Sequence, residues 1–92
     1  MTERTTYFNG EYLPESKVCV SFRDRGFSLG DAVFDAERTF GGEIFRLKAH
    51  IDRLYRSLEK ASIDPGLTPA EMTEITRETV ARNLPLLGPG ED

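Results

Sequence analysis

The sequence predicts an α+β fold, an antiparallel sheet with two helices on one face in a two-layer sandwich. Three observations predict it. Short alternating stretches separated by turn dipeptides occupy the first half of the chain, the apolar period lengthens at Leu47, and two amphipathic stretches follow with their own start and stop signals. With 92 residues, 38% of them hydrophobic and 30% charged, the chain reads as one soluble domain, 1–92. Its core is thin, because a chain of this size buries only about 60–65% of its unfolded surface.

The elements follow in order. Thr5 to Phe8 and Glu11 to Leu13 flank Asn9-Gly10, a dipeptide that suits a two-residue hairpin because both positions tolerate positive φ. Over 17–22, Val18, Val20 and Phe22 share one face and Cys19 and Ser21 the other, which predicts a half-buried strand. Arg23-Asp24-Arg25-Gly26 and Gly30-Asp31 break the pattern and leave 27–31 as a loop or a single helical turn. A strand over 32–40 turns at Gly41-Gly42 into another over 43–47.

From Leu47 onwards, Leu47, Ile51, Leu54, Leu58 and Ala61 form one stripe of a helix that runs to about Ser62, where Asp64-Pro65-Gly66 stops it. Thr68-Pro69-Ala70-Glu71 opens a second helix with a Thr cap, Pro at the first position and Glu three residues after the cap. Met72, Ile75, Thr79 and Val80 give its inner face, and Glu74–Arg77 and Glu78–Arg82 pair along the outer one. The chain stops at Glu91-Asp92 after a turn signal, where a further strand is expected, so it reads as part of a longer protein.

Charge and composition exclude several functions. Sixteen acids against twelve bases give a net charge of -4, the wrong balance for tracking phosphates along a nucleic acid. Neither a membrane span nor a signal-peptide core is present. One cysteine, Cys19, cannot form an internal disulfide, which points to a reducing compartment such as the cytoplasm. With one histidine beside it, no zinc-ligand spacing exists. The sequence also lacks a dinucleotide glycine fingerprint and a phosphate loop.

Three groups of residues are candidates for chemistry. Period two places Phe34, Ala36 and Arg38 on one face of the 32–40 stretch and Val33, Asp35 and Glu37 on the other. The first face reads either as an edge strand guarded by charge or as a pocket wall with Arg38 as a fixed cation. Asp35 and Glu37, as neighbours on one strand face, are expected to meet solvent rather than act as an acid/base pair. His50, Arg53 and Ser57 stack beside the apolar stripe of the first helix; periodicity alone makes Arg53 a surface arginine and His50 a packed or capping histidine rather than a base. Cys19 is expected to be a buried, inert thiol. The only lysines, Lys17, Lys48 and Lys60, sit at exposed positions where nothing would lower their pKa toward a catalytic amine.

Taken in order, Tyr7-Phe8-Asn9-Gly10, Asp24-Arg25-Gly26-Phe27-Ser28-Leu29-Gly30-Asp31-Ala32-Val33-Phe34-Asp35, Ile44-Phe45-Arg46-Leu47 and His50-Ile51-Asp52-Arg53-Leu54 resemble the amino-terminal part of the class IV (fold type IV) pyridoxal-phosphate aminotransferases. That group includes D-amino acid, branched-chain and (R)-amine transaminases and aminodeoxychorismate lyase. The resemblance implies the small N-terminal domain of a homodimeric enzyme that uses pyridoxal 5'-phosphate to move an amino group between an amino acid or amine and a 2-oxo acid. It reassigns Arg53, in the His-x-x-Arg-Leu motif, to the cofactor phosphate, and gives Phe34, Ala36 and Arg38 to the substrate pocket. Leu29 stands where branched-chain enzymes place a tyrosine, and Arg38 where D-amino acid enzymes place a basic residue.

The resemblance also implies that the Schiff-base lysine and the acid facing the pyridine nitrogen lie beyond residue 92. It therefore puts no catalytic residue in this chain and leaves the remainder of the enzyme as its partner. Two other readings stay open: a lyase acting on aminodeoxychorismate on the same scaffold, and a stand-alone, non-catalytic dimerisation or binding module. Neither nucleic acid nor membrane is an expected partner.

Overall fold

In the computed structural model, which describes residues 3–91, Asn9 and Gly10 both take positive φ, 48° and 90°. They turn β1 (Thr5–Phe8) back as β2 (Glu11–Pro14), with Thr5 opposite Pro14 and Phe8 opposite Glu11. This is the backbone that an Asn-Gly pair favours, since its twist matches that of the strands. Tyr7 and Tyr12 face each other across the pair, their rings edge-to-face with centroids 5.2 Å apart.

The strand expected over 17–22 is absent. A short 3-10 turn covers Glu15–Lys17, and the residues after it run outside any ladder. Val20 and Phe22 are exposed, and so is Cys19, which corrects the buried thiol expected from the alternation. Alternation gives a strand two faces only if a neighbouring strand takes up its N–H and C=O groups, and none among the described residues does so here.

The interrupted stretch that follows forms α1 (Arg25–Leu29). Asp24 caps it: its carboxylate accepts from the Phe27 N–H at 3.2 Å, and Gly30 closes it at φ 71°. Gly26 leaves room for this cap: a Cβ at that position would lie 2.9 Å from the capping carboxylate and 3.3 Å from Ala32 Cβ, so the Asp24 side chain would have to shift.

The long strand expected over 32–40 is reduced to β3 (Thr39–Phe40), paired with β4 (Glu43–Ile44) around Gly41-Gly42. One further bond, Phe45 N–H to the Arg38 carbonyl at 2.8 Å, extends this pairing before the ladder stops. The α+β class holds, but its β layer is two separate antiparallel pairs rather than one continuous sheet.

The helices lie close to expectation. α2 (Leu47–Lys60) enters through Arg46 in the left-handed region and buries Ile51 and Leu58. It ends in a Schellman arrangement with Ser62 at φ 56°: Ser62 N–H bonds to the Glu59 carbonyl and Ile63 N–H to the Leu58 carbonyl. α3 (Pro69–Asn83) opens on the reciprocal capping box, with Glu71 N–H to Thr68 Oγ1 at 3.1 Å and Thr68 N–H to Glu71 Oε1 at 2.9 Å. The pairs Glu74–Arg77 and Glu78–Arg82 form on its outer face, at 3.2 and 2.8 Å.

α3 packs against both α2 and β1. Two long-range bonds secure its far end: the Asn83 amide accepts from the Thr5 N–H and donates to the Thr5 carbonyl, both at 2.8 Å, while also donating to the Thr79 carbonyl of its own helix. Tyr55 reaches from α2 to the Leu67 carbonyl at 2.7 Å and fixes the connection between the helices. Among the described residues the core proper is Ile51, 3% exposed, and Leu58, 7% exposed, with the inner face of α3 half-buried around them.

Candidate functional site

The segment between α1 and β3 forms no ladder, yet it keeps its alternation over 33–36 and loses it at Glu37, which is exposed. Phe34 is 89% exposed, Ala36 and Arg38 are exposed, and Asp35 points the other way with its side chain 7% exposed. Asp35 therefore meets α2, where His50 and Arg53 stand on one face because they lie three residues apart.

The contact is bidentate. Arg53 Nε donates to Asp35 Oδ2 at 2.7 Å and Nη2 donates to Oδ1 at 2.8 Å. The planar fork of a guanidinium matches a carboxylate edge in this way, giving orientation as well as charge. His50 Nδ1 lies 2.8 Å from the same Oδ1. An ionised carboxylate only accepts, so this bond assigns the proton to Nδ1 of His50. Nη2 and Nδ1, 3.2 Å apart, are then two donors converging on one oxygen rather than a donor and an acceptor.

These bonds hold the Asp35 carboxyl well below the usual carboxylate range, the Arg53 bond contributing most and the His50 bond next. The same pairing raises Arg53. Since the folded-state pKa of Asp35 lies below its ordinary value of 3.8, the stabilisation from the pair is fully present above that value and is lost as pH falls through the depressed one. Glu37, two residues on, is pushed up by partial desolvation, with His50 opposing and the Asp35 charge adding to it.

Arg53 is not consumed by the pair. Its side chain remains 57% exposed, and Asp35 occupies only the Nε–Nη2 edge of a group that carries five N–H donors. A second anion, such as a phosphate monoester, fits the donor set that remains.

Of the other candidates, Arg38 is exposed and lays its guanidinium over the Phe40 ring at 4.4 Å. Lys17, Lys48 and Lys60 are all exposed, Lys48 being paired with Asp52 at 2.8 Å. Asp35 is the residue the sequence undervalued. Its strand-face position was legible, but nothing in one dimension links it to an arginine eighteen positions later.

Fold and site together define an α+β domain that presents, on the face of a helix, a guanidinium clamped along one edge. Residues 32–86, more than half of the chain and including every residue of this site, match the family described as amino-transferase class IV. The chain belongs to that family. It is 43% identical over 77 residues to a protein of Methanocaldococcus jannaschii named for branched-chain-amino-acid aminotransferase activity. It is 34% identical to a D-alanine aminotransferase of Staphylococcus epidermidis and 31% identical to one of Staphylococcus haemolyticus, over the same length. Each match takes in 84% of this chain and 27% of the relative, so the chain spans about a quarter of the length of these proteins.

Proposed function

We propose that the chain is the small N-terminal domain of a longer, pyridoxal-phosphate-dependent class IV aminotransferase that moves an amino group between an amino acid or amine and a 2-oxo acid in the cytoplasm. The observation that carries this reading is Arg53: a guanidinium in the family's His-x-x-Arg-Leu motif, fixed along one edge and solvent-facing otherwise. Arg53 takes the phosphate of the cofactor, which when bound supplies the electron sink for the amino-group chemistry. Phe34, Ala36 and Arg38 form part of the substrate side. Between β2 and β3 five large apolar side chains, Val20, Phe22, Phe27, Leu29 and Phe34, are 56–89% exposed, the kind of surface that marks an interaction site. They support burial against the remainder of the enzyme and a second copy in a homodimer.

The reading is tested by assaying the whole enzyme with a panel of D- and L-amino acids and amines against 2-oxo acid acceptors. Amino transfer is expected. Turnover of aminodeoxychorismate with no 2-oxo acid consumed would establish the lyase reading instead. The 92-residue chain alone, mixed with pyridoxal phosphate and treated with borohydride, is expected to show only scattered, substoichiometric labelling of Lys17, Lys48 and Lys60 on peptide mapping. Stoichiometric labelling of one of them, with transamination, would overturn the assignment.

The substrate face has its own expected result. Ala36→Leu adds three carbons to a pocket wall, and even one methylene shifts discrimination by about 1–3 kcal/mol. Activity toward bulky donors should fall far more than toward alanine-sized ones, with cofactor affinity unchanged, and Arg38→Gln should penalise anionic substrates. If Glu37→Gln alters substrate preference and Ala36→Leu does not, the pocket is built from the Asp35 face.

A further inference from the structure

We propose that Asp35 is a positioning residue for the phosphate site: its carboxylate holds the Arg53 guanidinium so that the unpaired edge is already aimed when the phosphate arrives. The inference rests on Arg53 being the phosphate ligand, and assigns a role to a residue outside the helix that carries it.

The geometry supports orientation rather than simple neutralisation. A single point charge would leave the arginine free to swing, whereas Asp35 engages both Nε and Nη2, at 2.7 and 2.8 Å, and so fixes the plane of the group as well as its place. The carboxylate is in turn fixed by His50 Nδ1 at 2.8 Å and is nearly covered, so it is not a mobile surface acid. It comes from the segment between α1 and β3, so the arginine is braced across two elements. An arginine on an exposed helix face samples many rotamers, and ordering it on binding costs affinity; bracing it beforehand removes that cost. The opposing effect is that Asp35 also brings a negative charge near an incoming dianion. That repulsion acts across the intervening guanidinium, and Arg53 remains 57% exposed, where solvent screens it.

The test is made in the whole enzyme, stripped of cofactor and titrated with pyridoxal phosphate and, separately, with pyridoxal, which lacks the phosphate. Asp35→Asn is expected to raise the dissociation constant of pyridoxal phosphate about tenfold and to change that of pyridoxal by less than about twofold. In an Arg53→Ala background, Asp35→Asn should cause no further loss, because its favourable effect runs through the arginine. Equal losses for both ligands would make Asp35 a structural tie and overturn the proposal. So would an unchanged or tightened pyridoxal phosphate affinity in Asp35→Asn when Arg53→Ala weakens it. If Arg53→Ala itself leaves affinity unchanged, the phosphate assignment fails first and the proposal falls with it. Should Asp35→Asn not fold, Asp35→Glu keeps the charge but displaces the fork by one methylene. A selective loss for pyridoxal phosphate supports positioning, and no loss overturns it.

Discussion

Arg53→Ala in the whole enzyme is expected to weaken pyridoxal phosphate binding by about ten- to a hundredfold, the usual range for losing a charge-assisted contact to an anion. The fold should survive, because the side chain lies more than half in solvent and helix α2 is held by Ile51 and Leu58 on another face. The substitution does leave Asp35 nearly covered with His50 as its remaining partner. A modest stability loss is therefore expected at neutral pH, shrinking on acidification as the orphaned carboxylate takes up a proton. Arg53→Lys should recover only part of the affinity, since an ammonium supplies charge but not the planar fork that Asp35 grips. Titration of the stripped enzyme reads these effects directly. An unchanged dissociation constant for Arg53→Ala would return Arg53 to a surface arginine whose only work is to pair with Asp35.

Ile51→Ala and Leu58→Ala are each expected to destabilise the 92-residue chain by about 2–5 kcal/mol, through lost transfer free energy and the cavity left behind. Small domains hold only about 5–15 kcal/mol in total. With these two as the buried side chains among the described residues, either change should remove much of the stability, and the pair together should prevent folding. Denaturant titration followed by circular dichroism measures this, with Phe34→Ala as the control. Phe34 is 89% exposed, so its loss should stay within about 0.5 kcal/mol. Equal effects for Phe34 and Ile51 would mean that the core has been misplaced.

Local chemistry was legible in this sequence, and pairing was not. Asn9-Gly10, Thr68 with Glu71, and the Leu47–Ile51–Leu54–Leu58 stripe each specify their structure through neighbours within a few residues, and each forms where the spacing put it. The alternation over 32–38 anticipated the exposure of Phe34 and Ala36 on either side of a covered Asp35, but it fails at Glu37, which is exposed like Ala36 and Arg38 beside it. It could not tell whether a ladder exists, because that depends on a second strand, and the same gap undid the strand expected at 17–22. Arg53 entered as a phosphate ligand through family resemblance alone. The Asp35 carboxylate beneath it was out of reach for the same physical reason as the missing strands: the contact joins residues that only tertiary folding brings together.

The Asn83 amide bonded to both backbone groups of Thr5 joins positions 78 apart in the chain, which bears on the order in which the domain assembles. Closing a loop of that length costs about 4 kcal/mol by the (3/2)RT ln n rule, whereas two hydrogen bonds return about 1–3 kcal/mol between them. The clasp therefore cannot start folding. The β1–β2 hairpin and the α2–α3 pair, built from contacts near in sequence, must form and meet first, after which the amide closes the circuit at almost no further entropic cost. Thr5 should accordingly be the last backbone amide to gain protection during refolding and among the first to lose it, so that its hydrogen exchange reports the opening of that clasp separately from the unwinding of α2.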